Sequence, residues 1–302
     1  MTLLVTGATG LIGNEIVSLL LQNGETVHYL TTSKSKIVDQ PNYKGFYWDP
    51  KQGILDEKCL FGVESIIHLA GATVSKRWTN AYKQEIIESR IDTSNLLFKA
   101  LKQHPNQVKQ IVSASAIGIY QNSLTTLYTE DSKQLGDDFL ANVVLKWEES
   151  VDKFSLLHLK VCKLRIGLVL SDKGGALSEM IKPIKLGLGS HFGSGMQMQS
   201  WIHIKDLANL FYFATQNQLD EVYNAVAPNP VSNKVLVKTI ATVLQKPLFF
   251  PPVPKLVMKL ILGEMHELLF SSQLVSSQKI VDKNFQFQFQ EVAPALSNLL
   301  RK

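Results

Sequence analysis

The segment Gly7-Ala8-Thr9-Gly10-Leu11-Ile12-Gly13 stands at the start of the chain, and it constrains the fold more than any other feature. Before it runs an apolar stretch, residues 2–6 (TLLVT), which reads as a buried parallel strand. After it, residues 11–22 (LIGNEIVSLLLQ) carry apolar side chains at helical spacing, and Asn23-Gly24 stops them. Three glycines between a strand and a helix have distinct physical uses. Gly7 permits a tight turn, Gly10 lets backbone approach a pyrophosphate, and Gly13 lets the helix pack closely on the strand. The helix N-terminus then presents free N–H groups and a partial positive charge to phosphates. The segment therefore predicts a dinucleotide site built from Gly7, Thr9, Gly10, Leu11, Ile12 and Gly13.

The rest of the first half repeats the same rhythm. Strands are expected at 25–31, 65–69, 108–113 and 160–166, with helices from Asn80 to Gln103 and from Gly136 to Asp152. Alternation of this kind predicts an α/β chain with a Rossmann-type, doubly wound parallel sheet. After residue 170 the pattern changes. Glycines gather between Gly187 and Gly195, helical spacing returns at 205–216, 233–245 and 255–269, and Phe285, Phe287 and Phe289 alternate as in a half-buried strand. A short amphipathic helix then runs to Leu300. The expected division is a cofactor-binding domain over 1–170, to which later segments return, and a smaller, partly interleaved C-terminal substrate lobe over 171–302 with its own tail at 248–297.

The second strand bears on the choice of cofactor. Sites for NAD place an acid at its end to bind the ribose 2′-hydroxyl. Here the strand ends Leu30-Thr31-Thr32-Ser33-Lys34, without an acid. Hydroxyls and an ammonium suit a 2′-phosphate, so NADP is expected over NAD, with Thr31, Thr32, Ser33 and Lys34 at the phosphate.

Charge and cysteine content exclude other classes. The formal charge of +5 comes from scattered residues, not a basic run, so nucleic acid is not an expected partner. Cys59 and Cys162 are far apart and form no metal-ligand or disulfide pattern, and no metal is expected. No apolar run reaches the length of a membrane span, and residues 2–6 are needed as a strand, so a cytoplasmic protein without membrane attachment is expected.

Further motifs converge. His68-Leu69-Ala70-Gly71 ends the strand at 65–69. Arg77-Trp78-Thr79, Lys83 and Ser89-Arg90-Ile91 follow, and then Ser113-Ala114-Ser115-Ala116-Ile117-Gly118-Ile119-Tyr120. Asp138-Phe139-Leu140-Ala141, Trp147-Glu148, Gly174-Gly175-Ala176-Leu177, Gly193-Ser194-Gly195 and Gln199-Ser200-Trp201-Ile202-His203 complete the series, with Asp206 close behind. Over the whole chain this resembles the epimerase-like subfamily of extended, atypical short-chain dehydrogenase/reductases. Its members are commonly labelled nucleoside-diphosphate-sugar epimerases or cell-division-inhibitor-like proteins. The tail, with Pro251-Pro252-Val253-Pro254, Leu262-Gly263-Glu264-Met265 and Phe285-Gln286-Phe287, resembles that subfamily's own C-terminal domain.

The resemblance implies NADP as cofactor, a small-molecule substrate such as a nucleotide sugar or carbonyl compound, and Leu69, Ala70, Gly71, Arg90, Ser113 and Ala114 near the cofactor. It places Ser115 at the position of a carbonyl-polarising serine. The partner Tyr and Lys should stand on the helix after Asp138, where this chain has Phe139 and Val143, so the usual proton relay is missing. Two further departures are Thr32, where the subfamily tends to have arginine, and Asn284, where it tends to have glycine.

Each remaining residue has two readings. Ser115 polarises a substrate or merely ends a strand, and Tyr120 substitutes as proton donor or packs. Lys83 and Arg90 lie seven apart and share a helix face, where they hold a substrate anion or face water. Trp201 and His203 are expected in the substrate cleft, although His203 alternates with apolar neighbours as a structural histidine would. The function expected is an NADP-dependent epimerase or oxidoreductase. Its rival is a catalytically silent cofactor-binding protein acting through a partner. A homodimer paired through helices 80–103 and 136–152 is a further expectation.

Overall fold

The sheet is assembled outward from one point. In a computed structural model, which describes residues 1–301, β1 (Thr2–Thr6) pairs in parallel with β2 (Thr26–Thr31) on one side. On its other side it pairs with β4 (Ser65–His68). The chain builds one wing through β2 to β3 (Tyr43–Asp49), then crosses back to build the other. That second wing runs through β4, β5 (Gln110–Ala116), β6 (Lys160–Ile166) and β7 (Glu221–Ala225). The order is therefore β7-β6-β5-β4-β1-β2-β3, all parallel, with two-residue strands at Asp39–Gln40 and Ile54–Leu55 antiparallel to β3. The chain reverses direction between β1 and β4, and in open α/β sheets the crevice outside such a switch point is where ligands bind.

Both faces of the sheet are covered, which is why its strands read as continuous apolar runs. Helices α1 (Leu11–Gln22) and α5 (Ile204–Gln216) pack together on one face. The Gln110 amide reaches from β5 to the Ala214 and Leu219 carbonyls at the end of α5. On the other face lie α2 (Asn80–Gln103) and α3 (Phe139–Asp152). α3 starts three residues later than its periodicity suggests, because the Asp138 carboxylate caps it by accepting from Ala141 N at 2.9 Å.

A second core forms from α4 (Gly175–Lys185), α6 (Asn233–Val243) and α8 (Val292–Leu300), around Leu177, Ile184, Trp201, Leu236, Ile240 and Leu296. The sequence shows α4 only weakly, since Pro183 lies inside it. β3 and β7 are also new.

Two expectations need correction. The helix expected over 255–269 stops at Gly263, whose φ of +61° lies in the left-handed region, leaving α7 (Lys255–Leu262) followed by short turns. The segment 285–289 buries Phe285, Phe287 and Phe289, yet it joins no ladder among the described residues. Its N–H groups at Gln288 and Phe289 instead donate to the two oxygens of the buried Asp206 carboxylate, at 2.8 and 2.9 Å. Just before it, Asn284 has φ +69°. Asparagine tolerates this conformation best after glycine, which accounts for the departure at that position.

Candidate functional site

The loop between β1 and α1 separates what the fold demands from what it does not. Gly7 has φ +68°, and a β-carbon on Gly13 would fall 2.2 Å from the Gly7 carbonyl oxygen, so both are fixed by local geometry. Gly10 is different. Its φ is −81°, and a β-carbon there would meet only one protein atom, the Gly7 oxygen at 3.2 Å. Among the described residues only that one contact stands over Gly10, so its backbone is open to a ligand from outside. No side chain caps α1 and no acid stands in its first turn, which leaves the N–H groups of Leu11, Ile12 and Gly13 to a ligand. Thr9 and Gly10 are exposed, and the Thr9 carbonyl is held by the Asn14 amide at 3.3 Å. This cradle fits the pyrophosphate of a dinucleotide.

At the end of β2, Thr31 is buried and its hydroxyl accepts from Ser33 N at 3.2 Å. That turn brings Thr32 and Lys34 to the surface, with the Lys34 ammonium 5.0 Å from the Tyr47 ring. Residues 30–37 contain no carboxylate.

The exit of β4 is held by a chain of hydrogen bonds whose direction can be worked out. The Thr6 hydroxyl accepts from Leu69 N and Ala70 N, at 3.0 and 3.1 Å, so its own proton goes to His68 Nδ1 at 2.9 Å. His68 must then carry its proton on Nε2, which donates to Ser94 Oγ at 3.2 Å, and Ser94 donates to the Arg90 carbonyl at 2.9 Å. Burial pushes the imidazole pKa down to about 4, consistent with this neutral tautomer. Thr6, His68 and Ser94 therefore set the wall formed by Leu69, Ala70 and Gly71. A buried polar trio on two strands and a helix was the signal available in the sequence.

Arg90 lies against that wall. Its guanidinium donates to the Ala72 and Ile86 carbonyls at 3.1 and 2.8 Å and covers the Trp147 ring at 4.8 Å. A β-carbon on Gly71 would stand 3.1 Å from Arg90 Cγ. Burial lowers the guanidinium pKa to about 10, and it stays charged.

Other expected residues sit elsewhere. Ser113 has no exposed surface and Ala114 almost none, and the Ser113 hydroxyl donates to the Ala114 carbonyl at 2.9 Å. They stand inside the sheet, behind the cleft. Ser115 donates to Glu148 Oε1 at 2.5 Å, and Arg165 grips the same carboxylate through Nε and Nη2 at 2.8 and 2.9 Å. Arg165 Nη1 reaches the Tyr120 hydroxyl at 3.0 Å, and that hydroxyl donates to Asn224 Oδ1 at 2.7 Å. Tyr120 is wholly buried, and desolvation raises its pKa. Ser115 and Tyr120 thus lie within a buried ionic network that joins β5, β6, β7 and α3, rather than free in a cleft. The sequence showed Glu148, but not its pairing with Arg165. Lys83 is paired with Glu264 at 2.6 Å, its ammonium 5.0 Å from the Phe139 ring. Phe139 and Val143 pack with Trp78, Ile86, Met265 and Leu268. Trp201 and His203, expected in the substrate cleft, have no exposed surface. Trp201 donates to the Asn229 carbonyl at 2.9 Å, while His203 caps α5 through Nδ1 and stacks on Phe289 at 4.0 Å. They hold the second core rather than face a ligand.

The chain has known relatives over its whole length. The model of the NAD dependent epimerase/dehydratase family matches residues 3–225, and that of a domain of unknown function, DUF1731, matches residues 253–299. An epimerase family protein of Staphylococcus aureus (strain MRSA252) is 34% identical over 304 residues, covering 99% of each chain. The crystal structure of the human epimerase family protein SDR39U1 (isoform 2) with NADPH superposes with a TM-score of 0.85 at 31% identity, covering 99% of both chains. A nucleoside-diphosphate sugar epimerase from Corynebacterium glutamicum has a TM-score of 0.80 at 28% identity, with 99% of this chain matched to 58% of that one. This chain belongs to the NAD dependent epimerase/dehydratase family, as an atypical extended short-chain dehydrogenase/reductase that carries the DUF1731 domain at its C-terminal end.

Proposed function

We propose that the chain binds NADP(H) across the carboxyl edge of β1, β2 and β4, and acts as an epimerase- or oxidoreductase-like protein on a small molecule. The observation that carries this is the cradle at Gly10, where open backbone meets the uncapped start of α1. Leu11, Ile12 and Gly13 would hold the pyrophosphate, and Thr32, Ser33 and Lys34 the 2′-phosphate. The human relative solved with NADPH supports the same choice. Bound there, the nicotinamide supplies or accepts a hydride at a substrate carbon. The chain's own contribution is position: the Thr6–His68–Ser94 chain fixes the wall at Leu69–Gly71, and Arg90 clamps that wall from behind.

A second reading, a cofactor-binding protein without turnover, is favoured by one observation. The Ser115 and Tyr120 hydroxyls have their protons committed to Glu148 and Asn224, and Phe139 and Val143 offer none. Calorimetry with both cofactors and a hydride-transfer assay over a carbonyl panel test the two. NADPH should bind at least tenfold tighter than NADH, and NADH binding as tight as NADPH would reject the assignment. Loss of the relay should hold turnover about a hundredfold to ten-thousandfold below that of a relay enzyme. Turnover abolished by Tyr120→Phe at unchanged NADPH affinity would instead restore Tyr120 as a proton donor.

A further inference from the structure

On the second-lobe side the rim of the cleft carries an exposed apolar helix, with cations only at its far end and along one stripe. It can be followed around the opening through contacts. At one end, β-carbons on Gly174 and Gly175 would touch the Leu11 side chain at 3.6 and 3.3 Å, so α4 begins on the pyrophosphate cradle. Beyond α4, the loop around Ser190 bonds to the chain at Pro251 (2.8 Å), and Gly193 N bonds to Val253 O (2.9 Å). α7 follows directly. At its far end a β-carbon on Gly263 would stand 3.7 Å from Arg77 Nε, and Glu264 pairs with Lys83. α7 therefore bridges from the second lobe to the start of α2, across the side of the opening away from the cradle.

This bridge has an unusual composition. Six of its eight residues are apolar, and none is buried; Leu256 is 69% exposed and Leu260 75%. Residues 256 and 260 share one face, 257 and 261 the next, and Lys255 and Lys259 take a single stripe. Most of its circumference is apolar, so an apolar surface meets the cleft across a wide range of rotations. Met265 and Leu268, just after α7, continue the surface inward to Phe139 and Val143. Contiguous exposed apolar side chains of this kind are a feature of binding surfaces. Phosphate recognition points the other way: no arginine occurs between Ile166 and Leu300, so the lobe lacks the bidentate side chain best suited to a diphosphate.

We propose that the substrate presents its reacting group on an apolar chain or ring system, not on a nucleoside diphosphate, and that α7 is the wall that binds it. The proposal rests on reading the cleft as the NADP(H) site. Calorimetry with 2-hexanone, 2-octanone, 2-decanone and UDP-glucose, with and without NADPH, reads the wall whether or not the cofactor binds. Affinity should rise roughly twofold to fourfold per added methylene. It should go flat along the series in a Leu256→Glu/Leu260→Glu variant, whose altered side chains are mostly exposed, and stay steep in the exposed control Phe61→Ser. NADPH affinity, measured separately, should be the same in all three proteins. A flat series in the wild type, or UDP-glucose binding tighter than 2-decanone, overturns the proposal. A wild-type dimer that the double variant dissociates would also overturn it, by showing that a second copy covers α7.

Discussion

Gly10 and Gly13 are three residues apart and look equivalent in the sequence, yet they answer to different forces. Gly13 is held by a contact of 2.2 Å that any β-carbon would make with backbone. Gly13→Ala should therefore destabilise the fold by about 1–3 kcal/mol, read as a lower midpoint in urea unfolding. Gly10→Val should cost less unfolding free energy than Gly13→Ala, about 1 kcal/mol or under from the poorer helix cap, while NADPH binding falls below detection. Unchanged NADPH affinity in a folded Gly10→Val protein would remove the site from this loop. The cofactor half of the site was legible because strand, glycines and helix are local in sequence. Ser115 and Tyr120 were less so. Their partners Glu148, Arg165 and Asn224 lie 33, 45 and 104 residues away in the pairs Ser115–Glu148, Tyr120–Arg165 and Tyr120–Asn224, and only the sheet order brings them together.

Among the elements, β4 and the N-cap of α5 each carry a histidine that burial holds neutral. His68 and His203 both have pKa values lowered to about 4, with desolvation the main cause. Between about pH 6.5 and 4 the unfolded chain binds protons that the native fold refuses, so stability is fully present above 6.5 and is lost as pH falls through this window. Each histidine contributes a slope of up to roughly 1.4 kcal/mol per pH unit. His68→Asn should flatten the pH dependence of unfolding free energy by about that amount, measured by urea titration at several pH values from 4.5 to 7. Identical slopes would contradict the hydrogen-bond direction assigned through Thr6 and Ser94. Element types followed from periodicity where one partner face was enough to set the pattern, as in α1, α2 and β6. Periodicity failed at 285–289, where the alternation reports burial correctly but the backbone partner is a carboxylate rather than a strand.

At the scale of the whole molecule, the C-terminal tail is tied to α5 by a reach of 82 residues from Asp206 to Gln288. Asp206 is buried with both oxygens used, so Asp206→Ala strands two N–H groups. It should cost about 2–4 kcal/mol and open the chain near residue 288 to limited proteolysis, whereas a wild-type cleavage pattern would show the tail to be held by packing alone. The division into lobes was only partly legible, because β7 and α5 belong to the first core while lying beyond residue 170 in sequence. That arrangement has a consequence for synthesis. The last strand of the main sheet emerges only at residue 225, after α4 and the strand at Trp201–His203 have already left the ribosome. Until then β6 is an open edge with Leu164 and Cys162 on it, and nascent chains stalled before residue 225 should be the species that needs a chaperone.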